Sequence, residues 1–275
     1  MNDISEFLII LDRSGSMQTA ASDHEGGLNS FIQDQKQLDG DVHITLIQFD
    51  SGNPCEVVMD GVRLHEAPEV HLRPRGGTPL YAAIGSAITH FSQRLDNLKQ
   101  KPDLIVAMVI TDGEDTGPNG EWNRDRVKAM VAEKEKAGWK FLYLGANVDA
   151  FQEAVNIGTQ ATAQASMNYS ATPIGTQNLY AAVTSGAVCA RMATRAMKTS
   201  LSLESLSEEQ QVICQNNAYS NFNWTGEQKL ASMGQGSCTC VAFDLANGGG
   251  KAGDPNCPIH AREVQLRVDL GVTTP

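Results

Sequence analysis

The feature that most restricts the fold is a run of seven apolar residues at 104–110, LIVAMVI, with no polar residue inside it. Strands with one wet face alternate apolar and polar residues, whereas strands that are covered on both faces are apolar nearly throughout. Residues 7–11, FLIIL, have the same uninterrupted character. Two such strands predict a sheet that is covered on both sides, and helices are the usual cover of a parallel sheet.

Extended and helical patterns alternate over the first 200 residues. Further strands are predicted at 42–49, 55–64 and 140–144, and helices at 19–37, 80–99, 122–137, 149–157 and 179–200. The last helix carries a stripe of small apolar residues that predicts close packing on the sheet, with Arg191, Arg195 and Lys198 on its exposed face. This order predicts an α/β fold, a doubly wound and mostly parallel sheet with helices on both faces.

Short oxygen-bearing side chains lie next to three of these elements. Asp12, Ser14 and Ser16 follow the first strand, Asp112 follows the strand at 104–110, and Thr78 precedes the helix at 80–99. Doubly wound sheets bind ligands beyond the carboxyl ends of their strands, near the point where strand order reverses. Mg²⁺ prefers oxygen ligands in near-octahedral order. The five residues therefore predict a site for Mg²⁺, or for Mn²⁺ or Ca²⁺ in its place.

The same residues resemble the metal-ion-dependent adhesion site of von Willebrand factor A domains, whose pattern is D-x-S-x-S with a distant Thr and a distant Asp. Residues 138–150, GWKFLYLGANVDA, are similar to a segment of stand-alone bacterial and bacteriophage members of that family. The resemblance covers about residues 4–200. It implies the Rossmann-like fold of these domains and a protein partner that presents an Asp or Glu side chain to the ion.

The resemblance also implies how each residue would act. Ser14 and Ser16 would bind the ion directly, Thr78 and Asp112 directly or through water, and Asp12 mainly through water. One coordination position would remain for the partner's carboxylate. Taken singly, the residues have ordinary structural interpretations: Asp12 caps a turn, the serines are loop residues, and Thr78 caps the following helix.

An enzyme is the less favoured interpretation. Phosphatases of the haloacid-dehalogenase type also place an aspartate after their first strand, but they normally need a second aspartate two residues later, where this chain has Ser14. The chain contains neither a G-x-S-x-G nucleophile elbow nor a G-x-x-x-x-G-K-[ST] phosphate loop. Scattered histidines, expected at the surface or in loops, receive no role: His24, His43, His65, His71 and His90. We therefore expect a binding protein without catalytic residues.

Composition changes near residue 200 and predicts three parts: a domain at 1–200, a linker with a short helix at 201–236, and a small extension at 237–275. The extension contains two alternating segments that predict a β-hairpin. Its Cys238, Cys240, Cys257 and His260 are either zinc ligands or, for the cysteines, disulfide partners or uncoordinated thiols.

Charge restricts the partners. The formal net charge of −11 argues against binding to nucleic acid or to anionic membranes, both of which require basic surface. No basic leader begins the chain, and no apolar run reaches the length of a membrane span. The sequence thus predicts a cytoplasmic protein that functions as a magnesium-dependent adaptor. The alternative is a structural or assembly component that self-associates, for instance in a bacteriophage particle, in which case it would be incorporated into a virion.

Overall fold

The computed structural model describes residues 3–118, 120–146, 150–159 and 166–198. Strands and α-helices alternate through these ranges, with short 3-10 turns at Gly15–Thr19 and Leu64–Glu66. In chain order the elements are β1 (Ile4–Asp12), α1 (Ala21–Lys36), β2 (Asp41–Asp50), β3 (Asn53–Arg63), α2 (Leu80–Asp96), β4 (Leu104–Thr111), α3 (Arg124–Lys136), β5 (Lys140–Ala146), α4 (Ala150–Asn156), β6 (Ser166–Tyr169) and α5 (Pro173–Lys198).

The six strands form one sheet in the order β3-β2-β1-β4-β5-β6. Every neighbouring pair is parallel except β2 and β3, which are antiparallel. Strand order reverses between β1 and β4, because β2 follows β1 on one side while β4 lies on the other. The predicted doubly wound, mostly parallel α/β fold is confirmed, and the two loops that follow β1 and β4 lie at its switch point.

Helices cover both faces of this sheet. Phe7, Ile9 and Leu11 of β1 belong to the core beneath α1 and α5, whereas Leu8 and Ile10 belong to the core beneath α2, α3 and α4. All five side chains are fully buried. The two-sided cover explains why β1 and β4 are apolar without interruption.

Arg191 is buried, so the prediction that it faces solvent is wrong. Its Nη1 donates to the carbonyl oxygen of Gln35 at 2.8 Å, and its Nη2 donates to those of Leu38 and Asp39 at 3.1 Å each. These carbonyls lie at and just beyond the C-terminal end of α1, where a helix leaves carbonyl oxygens without helical partners. A guanidinium on α5 satisfies them and joins the two helices.

His24 is also buried, and it lies inside α1, contrary to the surface or loop position expected of it. The ring lies in the layer beneath α1 and α5, where Nδ1 is 3.1 Å from the Tyr180 hydroxyl and Nε2 is 3.0 Å from the Tyr169 hydroxyl. Burial lowers its pKa to about 4. The imidazole is therefore neutral at physiological pH.

Element boundaries differ from prediction mainly in the second half of the chain. The last helix begins at Pro173 rather than near residue 179, and the four-residue β6 was not predicted. None of the described helices is long and apolar enough to cross a membrane. The proposed boundaries at residues 200 and 236, the hairpin, and the cluster of Cys238, Cys240, Cys257 and His260 lie outside the described residues.

Candidate metal centre

Three loops meet at the carboxyl ends of β1 and β4. The backbone N–H of Gly15 donates to the carbonyl oxygen of Gly76 at 2.9 Å, and the N–H of Arg75 donates to that of Arg13 at 2.8 Å. These bonds join the loop after β1 to the loop before α2. The loop after β4 is the third loop, and its Asp112 side chain contacts Ser16 of the loop after β1.

Asp12 ends β1 with both carboxylate oxygens already engaged. Oδ1 accepts from the backbone N–H of Ser14 at 2.6 Å, and Oδ2 accepts from the hydroxyl of Thr111 at 2.6 Å. Burial raises the pKa of Asp12 to about 6, although these two bonds act in the opposite direction. Asp12 does cap a turn, as its ordinary interpretation has it, and the same bonds fix the orientation of its carboxylate.

A chain of hydroxyl and carboxylate contacts joins three of the predicted ligands. The Ser14 and Ser16 hydroxyls are 2.9 Å apart, and the Ser16 hydroxyl donates to Oδ1 of Asp112 at 2.6 Å. Burial raises the pKa of Asp112, while the bond from Ser16 lowers it. Ser16 is exposed, whereas Ser14 and Asp112 are buried, so the group opens to solvent at Ser16.

Thr78 lies at the same edge and does not cap the helix that follows it. A Cβ atom added at Gly113 would lie 3.5 Å from the Thr78 hydroxyl, which places that hydroxyl beside the loop after β4. No described residue hydrogen-bonds the hydroxyl. The N-terminus of α2 is instead capped by Asp115, whose Oδ1 accepts from the N–H of Tyr81 at 3.2 Å.

The segment 67–79 that carries Thr78 contains no helix or strand. Side chains from the body of the protein hold its backbone in place. Asn29 donates to the carbonyl oxygen of Val70 at 3.1 Å and accepts from its N–H at 2.8 Å, and Gln48 donates to the carbonyl oxygen of His71 at 2.7 Å. Val70 is buried, so the segment is fixed by these contacts rather than by a ladder of backbone bonds.

Sequence reasoning did not identify Arg13 and Asp50 as part of the site's support. The Arg13 guanidinium is buried, donates through Nε to Asp50 Oδ2 at 2.6 Å, and pairs with Glu56. Asp50 also accepts from Nε of Arg75 at 2.9 Å. Only the position of Arg13 between Asp12 and Ser14 indicated a relation to the site; its partners lie 37 and 43 residues away.

The donor set fits a hard divalent cation. Two carboxylates and three hydroxyls supply oxygen only, which is the ligand type that Mg²⁺, Mn²⁺ and Ca²⁺ share. Within the described residues no three His, Cys, Asp or Glu side chains group as a metal site. An ion at this edge would therefore depend on the hydroxyls of Ser14, Ser16 and Thr78.

Comparison with known proteins adds information about the fold. No protein-family model matches the chain, and no curated protein sequence matches it. Among solved structures, it is similar to proximal thread matrix protein 1 from the mussel byssus, in a structure whose metal-ion-dependent adhesion site (MIDAS) motif is occupied by zinc. The identity is 11% and the TM-score 0.50, over 70% of this chain and 46% of that one. A von Willebrand factor type A structure from Catenulispora acidiphila is 17% identical, with a TM-score of 0.48, over 66% of this chain and 42% of that one.

The chain thus spans less than half the length of either solved structure. At 11% identity the likeness to the mussel protein concerns the fold alone, and it agrees with the Rossmann-like α/β architecture seen here.

Proposed function

We propose that this chain is a divalent-cation-dependent protein-binding module of the von Willebrand factor A type. Ser14, Ser16, Thr78 and Asp112 would hold Mg²⁺, or a similar ion, and Asp12 would support it through water. The observation that carries the proposal is the 2.6 Å contact between Ser16 and Asp112, which lie 96 residues apart in the chain and meet at the switch point of the sheet.

The charges of these groups suggest what the ion would bind. Ser14, Ser16 and Thr78 are neutral ligands, and Asp12 has both oxygens engaged by protein donors. Only one of the proposed direct ligands, Asp112, is charged, so the ion itself remains electron-poor and an anionic oxygen is favoured over water at a free coordination position. Ser16 is the exposed member of the group. A partner's Asp or Glu side chain, approaching on that side, would supply that anionic oxygen.

The environment of Asp12 is why binding rather than catalysis is proposed. A nucleophilic aspartate needs an oxygen directed at its substrate, whereas Asp12 is fully buried and donors occupy both of its oxygens. The mussel protein of similar fold is described with zinc in its MIDAS motif, which supports a site for a divalent ion in a fold of this kind.

The first experiment measures Mg²⁺ binding to the full chain by isothermal titration calorimetry. Asp112→Ala removes a proposed ligand and should abolish the binding, while circular dichroism shows an intact fold. Glu114→Ala is the matched control, because it removes the same charge from an exposed residue two positions away. Equal Mg²⁺ affinity in wild type and Asp112→Ala would contradict the proposed ligand set.

A second experiment addresses the partner. Wild type and Asp112→Ala are used side by side to capture proteins from lysate in magnesium buffer, and captured proteins are identified by mass spectrometry. A protein held by wild type alone, and released by EDTA, is the expected result. Equal capture by both forms would refute partner binding through the ion.

A further inference from the structure

Asp50, the last residue of β2, is hydrogen-bonded through both oxygens. Its Oδ2 accepts from Nε of Arg13 at 2.6 Å and from Nε of Arg75 at 2.9 Å. Its Oδ1 accepts from the backbone N–H groups of Gly52 and Asn53 at 2.6 and 3.1 Å. Burial raises the pKa of Asp50, but the bonds from Arg75, Arg13 and the two amides outweigh burial and hold the pKa at about 2.

The two arginines belong to different loops of the candidate metal centre. Arg13 lies between Asp12 and Ser14, and Arg75 lies three residues before Thr78. A single carboxylate oxygen therefore joins the loop of the serines to the loop of the threonine. The backbone bond from Arg75 N–H to the carbonyl oxygen of Arg13, at 2.8 Å, closes the same connection on the main chain.

Stability alone is a weak explanation for this arrangement. Arg13 and Asp50 are buried, with 5% and 1% of their surface exposed. Buried ion pairs repay their desolvation only when geometry is excellent, and apolar replacements are often as stable. What an apolar pair would not supply is a shared acceptor that fixes the relative position of two guanidinium groups.

We propose that Asp50, acting through Arg13 and Arg75, is a positioning residue that sets the spacing between the Ser14–Ser16 loop and Thr78, and thereby the divalent-cation affinity of the site. This inference rests on the proposed function. Groups that orient metal ligands from outside the coordination shell commonly change affinity by roughly 10- to 100-fold when they are removed.

The sign of one substitution separates positioning from simple electrostatics. Arg75 is a cation near a proposed cation site, so removing its charge should strengthen Mg²⁺ binding if charge were its only influence. If Arg75 positions the Thr78 loop, its removal should weaken Mg²⁺ binding instead. Because the Arg75 side chain is 62% exposed, its replacement leaves the core intact.

The experiment compares Arg75→Gln with Arg73→Gln in the full chain. Both residues are exposed arginines on the same segment, and both substitutions remove one positive charge, but only Arg75 contacts Asp50. Arg75 also lies 3.6 Å from the exposed carboxylate of Glu56, a weaker contact than the 2.9 Å bond to Asp50. We expect Arg75→Gln to weaken Mg²⁺ binding roughly ten-fold by calorimetry. Arg73→Gln should leave the affinity unchanged or slightly stronger. Arg75→Lys keeps a donor for Asp50 and should restore part of the loss.

Thermal unfolding with and without Mg²⁺ supplies the readout that a purely structural role would not move. A positioning role predicts that the rise in Tm on adding Mg²⁺ becomes smaller in Arg75→Gln, whereas a structural role lowers both Tm values equally. A wild type that binds no Mg²⁺ would overturn the proposed function and this inference with it. A wild type that binds, beside an Arg75→Gln form that binds as tightly or more tightly, would overturn this inference alone.

Discussion

His24 is a titratable side chain that the folded protein holds in its neutral form. Tyrosine hydroxyls contact both ring nitrogens, and burial lowers the pKa from 6.5 to about 4. The unfolded chain therefore binds more protons than the folded chain between about pH 6.5 and pH 4, and the free energy of unfolding falls as the pH falls through that window. Across the whole window, the free energy of unfolding should fall by about 3 kcal/mol because of His24.

Replacement of this histidine should change both the size and the pH dependence of stability. His24→Phe leaves the hydroxyls of Tyr169 and Tyr180 without their ring partner, which should cost about 1–3 kcal/mol at pH 7. The variant should also lose less stability than wild type between pH 6.5 and pH 4. Urea unfolding at both pH values measures this, with exposed His65→Phe as control. Parallel pH profiles of wild type and His24→Phe would rule out His24 as the cause.

At single residues, the sequence could place side chains that directly follow a recognisable strand. Asp12, Ser14 and Ser16 follow the apolar β1, and the structure brings Ser14 into contact with Ser16 and Ser16 into contact with Asp112. Metal binding by these residues stays a prediction. Arg191 and His24 were misplaced because their partners lie about 150 residues away in sequence. A helical stripe predicts which side of a helix is buried, but not that a guanidinium at its border can reach the end of another helix.

Among the elements, α1 and α5 pack against each other through a glycine. A Cβ atom at Gly27 would lie 2.1 Å from Cδ2 of Tyr180, whereas one at Gly26 would meet nothing within 4 Å. Both glycines lie inside α1, where glycine costs roughly 0.5–1 kcal/mol relative to alanine. The structure thus has no room for a side chain at Gly27 but has room for one at Gly26.

This contrast gives a paired prediction. Gly27→Ala should lower the free energy of unfolding by about 1–3 kcal/mol, because the methyl group must displace the Tyr180 ring. Gly26→Ala should raise it by about 0.5–1 kcal/mol through lower chain entropy. Urea unfolding of the two variants measures both effects. The same sign in both would contradict the close approach of α5 at Gly27.

Elements were predictable in proportion to their length and burial. The strands β1 and β4, buried on both faces, and the amphipathic α2 were recognised because apolar residues dominate their patterns. The edge strand β6, Ser166–Tyr169, is too short to show a period, and Asn168 within it bonds to the N–H of Ala150. The pairing direction of β3 depends on the turn after β2, which the residue pattern of the strand does not report.

At the scale of the whole molecule, all five candidate ligands lie between β1 and the loop after β4. The predicted domain at 1–200 therefore contains all five proposed ligands, and none of the five belongs to the predicted extension at 237–275. The adaptor and assembly interpretations of the chain differ in how they depend on that extension.

Truncation after residue 200 tests this difference. If the chain is an adaptor, the 1–200 form should bind Mg²⁺ with the affinity of the full chain, since it retains every proposed ligand. Calorimetry measures the affinity, and sedimentation velocity measures association of both forms. Self-association of the full chain that is lost on truncation, with Mg²⁺ having no influence on it, would favour the assembly component instead.

The unequal anchoring of the three loops has a kinetic consequence. Asp12 and Asp112 adjoin β1 and β4, central strands whose amides exchange with solvent only through the largest openings of a fold, whereas segment 67–79 lacks a backbone ladder and depends on contacts such as those from Asn29 and Gln48. An ion bound to all three loops would connect the slowly exchanging strands to segment 67–79, which should exchange faster. Ion binding should therefore slow amide hydrogen exchange mainly in the residues before Thr78 and leave the exchange rates of β1 and β4 almost unchanged.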